Sequence, residues 1–301
     1  MSESVIAAIE AGGTKFLCGF GTPQGEILDH VRISTTSPAQ TLPQVIAYFL
    51  NHPLFSQVQQ VGLACFGPIE PNRQSASYGL IKATPKLAWR DFNIVAALTE
   101  ALDKAIVFDT DVNAAALGEY YWGAGQGLDH LIYLTVGTGI GGGIIANGAI
   151  HHGVSHVEMG HLLIPLHQDE VDFRGICPSH GHCLEGLASG PAICQRFNVE
   201  DALALPVDHA AWRLEADYLA QALMNYALVL APQRIILGGG VMQQAHLFPL
   251  MRERFGHYMQ GYLTNDAMQD MSQFIVPAGC GQHAGLKGAV ALALGNEPAT
   301  R

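Results

Sequence analysis

The chain has 301 residues, 49% of them hydrophobic and 14% charged, with 26 acidic against 15 basic side chains and a formal net charge of −11. That length suits two domains with a sizeable core, and the apolar content excludes a disordered chain. The acidic balance excludes a sequence-independent nucleic-acid binder, which needs a basic face, but not a nucleotide site built from backbone N–H groups and a divalent cation.

Met1-Ser2-Glu3-Ser4 has no basic leader character, and the first apolar stretch stops at Glu10. No uncharged apolar run reaches spanning length, so no membrane association and a cytoplasmic location are expected. Apolar runs at 5–9, 16–20 and 27–33, punctuated by Gly12-Gly13 and by Gly21-Thr22-Pro23-Gln24-Gly25, predict a β-meander. Val45, Ile46, Phe49 and Leu50 share one face of a helix predicted over 41–50. A strand at 60–65, a helix at 92–102 and a strand at 105–108 follow, and Asp109 or Asp111 can cap a helix through Ala114-Ala115-Ala116-Leu117-Gly118-Glu119. Near 118 the pattern restarts with strands at 130–136 and 142–146, then a loop dense in His, Gly and Cys over 148–183. Helices near 184–197 and 212–230, a strand at 233–237, and helices near 246–259 and 283–294 complete the chain. Both halves open as strand, glycine turn, strand, which points to an internal structural duplication. The expected division is a small lobe of 1–117 plus the C-terminal helix 283–301, and a large lobe of 118–282.

Three glycine-rich turns each follow a β-like run: Ala11-Gly12-Gly13-Thr14-Lys15, Gly137-Thr138-Gly139-Ile140-Gly141-Gly142-Gly143 and Gly238-Gly239-Gly240. Glycine admits φ > 0 and close backbone approach to an anion, and successive N–H groups can cradle phosphate oxygens. Each turn alone reads equally well as a tight hairpin, but together they point to two lobes clasping a polyphosphate. No P-loop motif is present, and the second turn lacks the context of a dinucleotide fingerprint.

Cys177-Pro178-Ser179-His180-Gly181-His182-Cys183 offers three soft or borderline ligands in one turn, and His161 in Glu158-Met159-Gly160-His161 can complete a tetrahedron. Structural zinc takes four such N/S ligands, so His161, Cys177, His180 and Cys183 are the expected set, with His182 able to replace His180. His151, His152, His156 and His167 read mostly as exposed loop histidines, and Cys18, Cys65, Cys194 and Cys280 as buried thiols. Asp109-Thr110-Asp111-Val112-Asn113 spans a strand end and a helix start, where carboxylates reach ligands of an α/β sheet. Asp111 is the expected base toward a substrate hydroxyl, with Asp109 supporting or capping.

The segments Ile9–Lys15, Thr110–Glu119, Val136–Ile140-Gly141, Glu158–His161 and the Cys/His loop occur in this order and resemble, over essentially the whole chain, the ROK sugar kinases. Within that family the likeness is greatest to the bacterial fructokinases. The resemblance implies an α/β, two-lobed actin/hexokinase-like (ribonuclease H-like) ATPase fold with a zinc-binding loop. It implies ATP and Mg²⁺ as cofactors, structural Zn²⁺, a hexose and a nucleotide as small-molecule partners, and a homodimer. By that resemblance Gly12, Gly13, Thr14 and Lys15 form the first phosphate loop, and Gly137, Thr138 and Gly139 the second. Gly238, Gly239 and Gly240 border the adenosine, Asp111 is the base, and Glu158, His161 and Glu185 face the sugar.

Three departures bear on substrate. Glu10 stands where the family usually has Asp, so its contact with Mg²⁺ is expected through water. Thr110 replaces an Asn before the base, and Lys86, in Ala83-Thr84-Pro85-Lys86-Leu87-Ala88-Trp89, replaces an Asn of many glucose-phosphorylating members. Two altered sugar contacts point away from glucose and toward fructose, phosphorylated at its 6-hydroxyl. The alternatives are a glucokinase or mannokinase, or an N-acetylhexosamine kinase, of the same family. A sugar-sensing repressor would carry a winged-helix domain before the first loop, which here begins by residue 11. A zinc-stabilised sugar binder without catalysis would have lost Asp111 or the loops.

Overall fold

The computed structural model describes residues 4–295 apart from positions 85, 169, 171 and 264 and the side chain of Gln282. Pro85 and the expected continuation of the last helix over 296–301 lie outside the described residues. In chain order the elements are β1 (Ile6–Ala11), β2 (Lys15–Gly21), β3 (Ile27–Ser34), α1 (Pro38–Asn51), β4 (Gln60–Cys65), β5 (Leu80–Ile81), β6 (Phe92–Asn93), α2 (Ile94–Leu102), β7 (Ala105–Thr110) and α3 (Asp111–Trp122). They continue with β8 (Leu131–Val136), β9 (Ile140–Ala146), β10 (Ala149–Ile150), α4 (Leu184–Ala188), α5 (Gly190–Phe197), α6 (Ala210–Leu230), β11 (Arg234–Gly238), α7 (Leu247–Met259), α8 (Met271–Phe274), β12 (Ile275–Pro277) and α9 (Ala284–Leu294).

Two five-stranded sheets carry the same plan. The first runs β3-β2-β1-β4-β7 and the second β10-β9-β8-β11-β12. In the first, β1 pairs antiparallel with β2 and parallel with β4. In the second, β8 is parallel to β11, and β11 to β12. The shared strand order is the duplication that the two similar half-sequences imply. β1 reads as a continuous apolar run, and Ile6, Ala7, Ala8, Ile9 and Ala11 are all buried, as a central strand covered on both faces requires.

The chain packs as two compact units, whose boundaries differ from the expected ones. The first contains the described residues up to Gly127, with Ile145–Val157 and the residues from Gly279 onward; the second contains Leu128–Ile144 and Glu158–Ala278. The expected cut at 117 falls inside α3, which stays whole. Glu119, fully buried on that helix, accepts the N–H groups of Ala124 at 2.7 Å, Gly279 at 2.9 Å and Cys280 at 2.8 Å. One carboxylate thus ties the end of α3 to the start of the C-terminal segment.

α9 belongs to the first unit because glycine and alanine let it lie directly on backbone. A Cβ on Gly288 would sit 2.0 Å from the Ala114 carbonyl oxygen of α3, and one on Gly62 of β4 would sit 1.7 Å from that of Ala289. This close approach explains the run of small residues in α3 and α9, both buried along most of their length. The helix predicted over 184–197 is two helices. Ser189 interrupts it, its hydroxyl capping α5 at the Ala192 N–H, while Pro191 lacks the donor needed to continue the turn. Among the described residues no helix is long and apolar enough to cross a membrane.

Candidate active site

In the first unit β7 runs straight into α3. Thr110, not Asp109 or Asp111, is the cap: its Oγ1 accepts the Asn113 N–H at 3.1 Å. Asp111 therefore occupies the first helical position, half-buried, with its Oδ1 accepting the Val112 N–H at 2.9 Å. The helix N-terminus there favours a carboxylate. Asp109 is buried and supports the turn. Its Oδ1 accepts from the Thr110 N–H at 2.7 Å and from Asn113 Nδ2 at 2.8 Å, and its Oδ2 lies 2.7 Å from His152 Nε2.

The first glycine turn closes the β1–β2 hairpin, with the Gly12 N–H bonded to the Lys15 carbonyl at 2.9 Å. A Cβ on Gly12 would sit 2.8 Å from that carbonyl oxygen, so tight closure is what demands glycine here. Thr14 is exposed at the tip. The Lys86 side chain reaches this turn, its Cε 3.7 Å from where a Gly13 Cβ would stand. Glu10 lies on β1 just below. Its Oε2 is buried with no hydrogen-bond partner among the described residues. Burial pushes its carboxyl up from the ordinary value, while Lys15 pulls it back. Gly285 makes the room, because a Cβ there would come within 2.3 Å of the Glu10 carboxyl carbon. A buried carboxylate oxygen without a donor suits a cation or its water shell.

In the second unit the second and third glycine turns converge. The Gly137 N–H bonds the Gly139 carbonyl at 2.9 Å, and the Gly190 N–H bonds the Gly137 carbonyl at 2.8 Å. Gly137, Thr138, Gly190, Pro191, Gly240 and Val241 line one side of a cavity of about 840 Å³. Gly238 ends β11, and Gly239 is the only glycine of the three turns in the left-handed region, at φ +94°. A Cβ on Gly239 would also sit 2.3 Å from the Val136 carbonyl oxygen. Gly239→Ala should therefore destabilise the fold by about 1–3 kcal/mol, read as a lower thermal midpoint; an unchanged midpoint would mean the turn relaxes freely.

The four expected metal ligands come together. One ligand atom from each of His161, Cys177, His180 and Cys183 lies within 4.8 Å of all the others. His161 Nδ1 is 3.5 Å from Cys183 Sγ and 3.7 Å from Cys177 Sγ, and His180 Nδ1 is 3.7 Å from Cys177 Sγ. His182 is exposed and outside the cluster, so His180 is the member that the fold selects. Paired bonds between Cys177 and Gly181 pinch the loop, and Gly181 takes φ +62° to allow it. Burial pushes the Cys183 thiol up, and the neighbouring Cys177 adds to the shift. Two thiols and two imidazoles at this spacing fit a tetrahedral N/S metal site.

The cluster is continuous with the second glycine turn. Glu185, just past Cys183, accepts the Ile140 N–H on Oε2 at 2.9 Å. Gly160 lies over Ile140, where a Cβ would come 1.8 Å from the Ile140 carbonyl oxygen. Tyr226 of α6 donates its hydroxyl to the Met159 carbonyl at 2.6 Å and anchors the segment Glu158–His161 from behind.

The sequence profile described as the ROK family matches residues 6–296. The chain belongs to the ROK family. A fructokinase of Pediococcus pentosaceus is 41% identical over 96% of this chain and 97% of its own length. A glucokinase of Halalkalibacterium halodurans is 32% identical over 80% of this chain and 82% of its own. The crystal structure of a ROK family glucokinase from Streptomyces griseus, in complex with glucose and AMPPNP, superposes with a TM-score of 0.72 at 25% identity, covering 97% of this chain and all of that one. The α/β architecture with two sheets is thus the ROK kinase fold.

Within this ROK-family chain the sequence reading missed His152, Gly285 and Tyr226. Only the run Glu158-Met159-Gly160-His161 pointed at the segment Tyr226 anchors; nothing local marked the other two.

Proposed function

We propose that this chain is an ATP-dependent fructokinase, transferring the γ-phosphoryl of ATP to the 6-hydroxyl of D-fructose. The full-length likeness to a fructokinase at 41% identity, against 32% for a glucokinase, carries the reading. Asp111, held at the first position of α3, would take the proton of the sugar hydroxyl. The hydroxyl oxygen then bonds to the terminal phosphorus as its bond to the β–γ bridging oxygen breaks, and ADP leaves. In the first unit the backbone N–H groups of Gly12–Lys15 would serve phosphate oxygens; in the second those of Gly137–Gly139 would do so, with the adenosine entering the cavity beside Gly240. Most of the rate enhancement would be positioning and charge stabilisation.

Lys86 was expected at the sugar through its family position. Its Cε, 3.7 Å from where a Gly13 Cβ would stand, supports assigning its charge to the transferring group as well. Thr110 serves the site mainly as the cap that presents Asp111. Glu158 and His161 would face the sugar, and Glu185 would offer Oε1, since its Oε2 holds the Ile140 N–H. Glu10 would hold Mg²⁺, through water or directly, which would supply charge neutralisation for the phosphates. His161, Cys177, His180 and Cys183 would hold Zn²⁺, which would fix the sugar loop and not activate water.

A coupled assay across fructose, glucose, mannose and N-acetylhexosamines with ATP tests the substrate. Fructose should have the highest kcat/KM, by about tenfold or more, the scale of one or two changed polar contacts. A clear preference for glucose would overturn the fructose reading while leaving the family standing.

A further inference from the structure

We propose, resting on Asp111 as the base, that His152 is a positioning residue which holds the catalytic turn through Asp109. His152 lies just past β10, and its side chain is 38% exposed, whereas that of Asp109 is 6% exposed. The Asp109 carboxylate spans two elements. On one side it accepts the Thr110 N–H and the Asn113 side-chain amide, and on the other it meets His152 Nε2 at 2.7 Å. An ionised carboxylate only accepts, so Nε2 carries the hydrogen. The hydrogen bond to Asp109 raises the His152 pKa from its ordinary value, with burial opposing.

The consequence for catalysis follows from what happens when the imidazole is removed. Oδ2 of a buried carboxylate then loses its partner, and such a group either takes a proton or turns toward water. Either change disturbs Oδ1, which pins Thr110 and Asn113 on both sides of Asp111. Displacing a catalytic group by about 1 Å costs roughly 100-fold in rate. The hydrogen bond of His152 goes to Asp109, which supports the turn around Asp111, so its effect is expected on kcat and not on substrate binding.

The test uses the full-length enzyme. His152→Phe keeps a planar ring without the donor, and His152→Gln keeps an N–H donor without the ring. His152→Phe should lower kcat about 10–100-fold with KM for ATP and fructose within about threefold, and His152→Gln should recover most of the loss. In an Asp111→Asn background, His152→Phe should cost nothing further, because its route to the reaction has already been removed. Amide hydrogen exchange over Thr110–Asn113 should be faster in His152→Phe than in wild type, whether or not any hexose is phosphorylated. A kcat retained within about twofold, an equal loss in the Asp111→Asn background, or unchanged exchange over Thr110–Asn113 would each overturn the assignment. A wild-type protein inactive on every hexose would instead overturn the proposed function, and the exchange measurement would still decide the role of His152.

Discussion

Replacing Asp111 by asparagine should lower kcat about 10²–10⁴-fold and leave KM for both substrates within a few-fold. Asparagine preserves the side-chain length and the oxygen that accepts the Val112 N–H. The Thr110 cap and the Asp109 network do not run through the Asp111 side chain, so the helix start survives the change. On the proposed mechanism, what is lost is an acceptor able to take a proton as the sugar oxygen bonds to phosphorus. Asp109→Asn is the informative contrast. It removes charge from a buried group with three donors around it, and should lower stability as well as rate. Steady-state kinetics with thermal melting separates the two variants. An Asp111→Asn enzyme whose kcat stays within a few-fold of wild type would remove Asp111 from the role of base.

The second large effect is on the metal cluster. Protein purified without chelator should carry about one zinc per chain, and Cys183→Ser should carry far less. Structural zinc sites contribute about 10–16 kcal/mol of apparent binding free energy, so the loss should reach well beyond the loop. Cys183 is the N-cap of α4 and fully buried, and Glu185 two residues later holds the start of β9. His161 shares the cluster with the segment over Ile140. Releasing these ties should raise KM for fructose more than KM for ATP, because none of the four cluster residues lines the cavity beside Gly190 and Gly240, where the adenosine is proposed to enter. Elemental analysis and melting with and without chelator provide the readouts. Unstripped protein free of zinc, with a chelator-insensitive melting point, would sink the assignment.

Much of the fold was legible because the signals were local. The β1–β3 meander, the 60–65 strand and the long helix near 212–230 follow from periodicity and glycine punctuation. The Cys/His cluster was legible as a spacing, and the structure only had to choose His180 over His182 as its fourth member. The glycine turns were legible by position but not by cause. Left-handed backbone explains Gly239 alone, while Gly12 is required by hairpin closure and Gly139 by the Glu185 carboxylate, whose Oε2 would lie 2.7 Å from a Cβ. The place of α3 within one compact unit was not legible because packing decides it: Glu119 gathers N–H groups from residues near 124 and 280. His152 was hidden among loop histidines because its partner, Asp109, lies 43 residues earlier. Gly285 was silent for the same reason, since its role is an emptiness left for Glu10. The Thr110 cap was overlooked because the flanking aspartates are equally good caps by type.

The position of the new phosphate ester bears most directly on the central claim. Incubating the enzyme with ATP and uniformly ¹³C-labelled fructose, and reading ¹³C–³¹P coupling by NMR, locates it. The phosphorus should couple to C6, with ADP formed in equal amount. Phosphate on C1, or ADP released without any sugar phosphate, would contradict an aspartate that delivers the C6 hydroxyl to the terminal phosphorus.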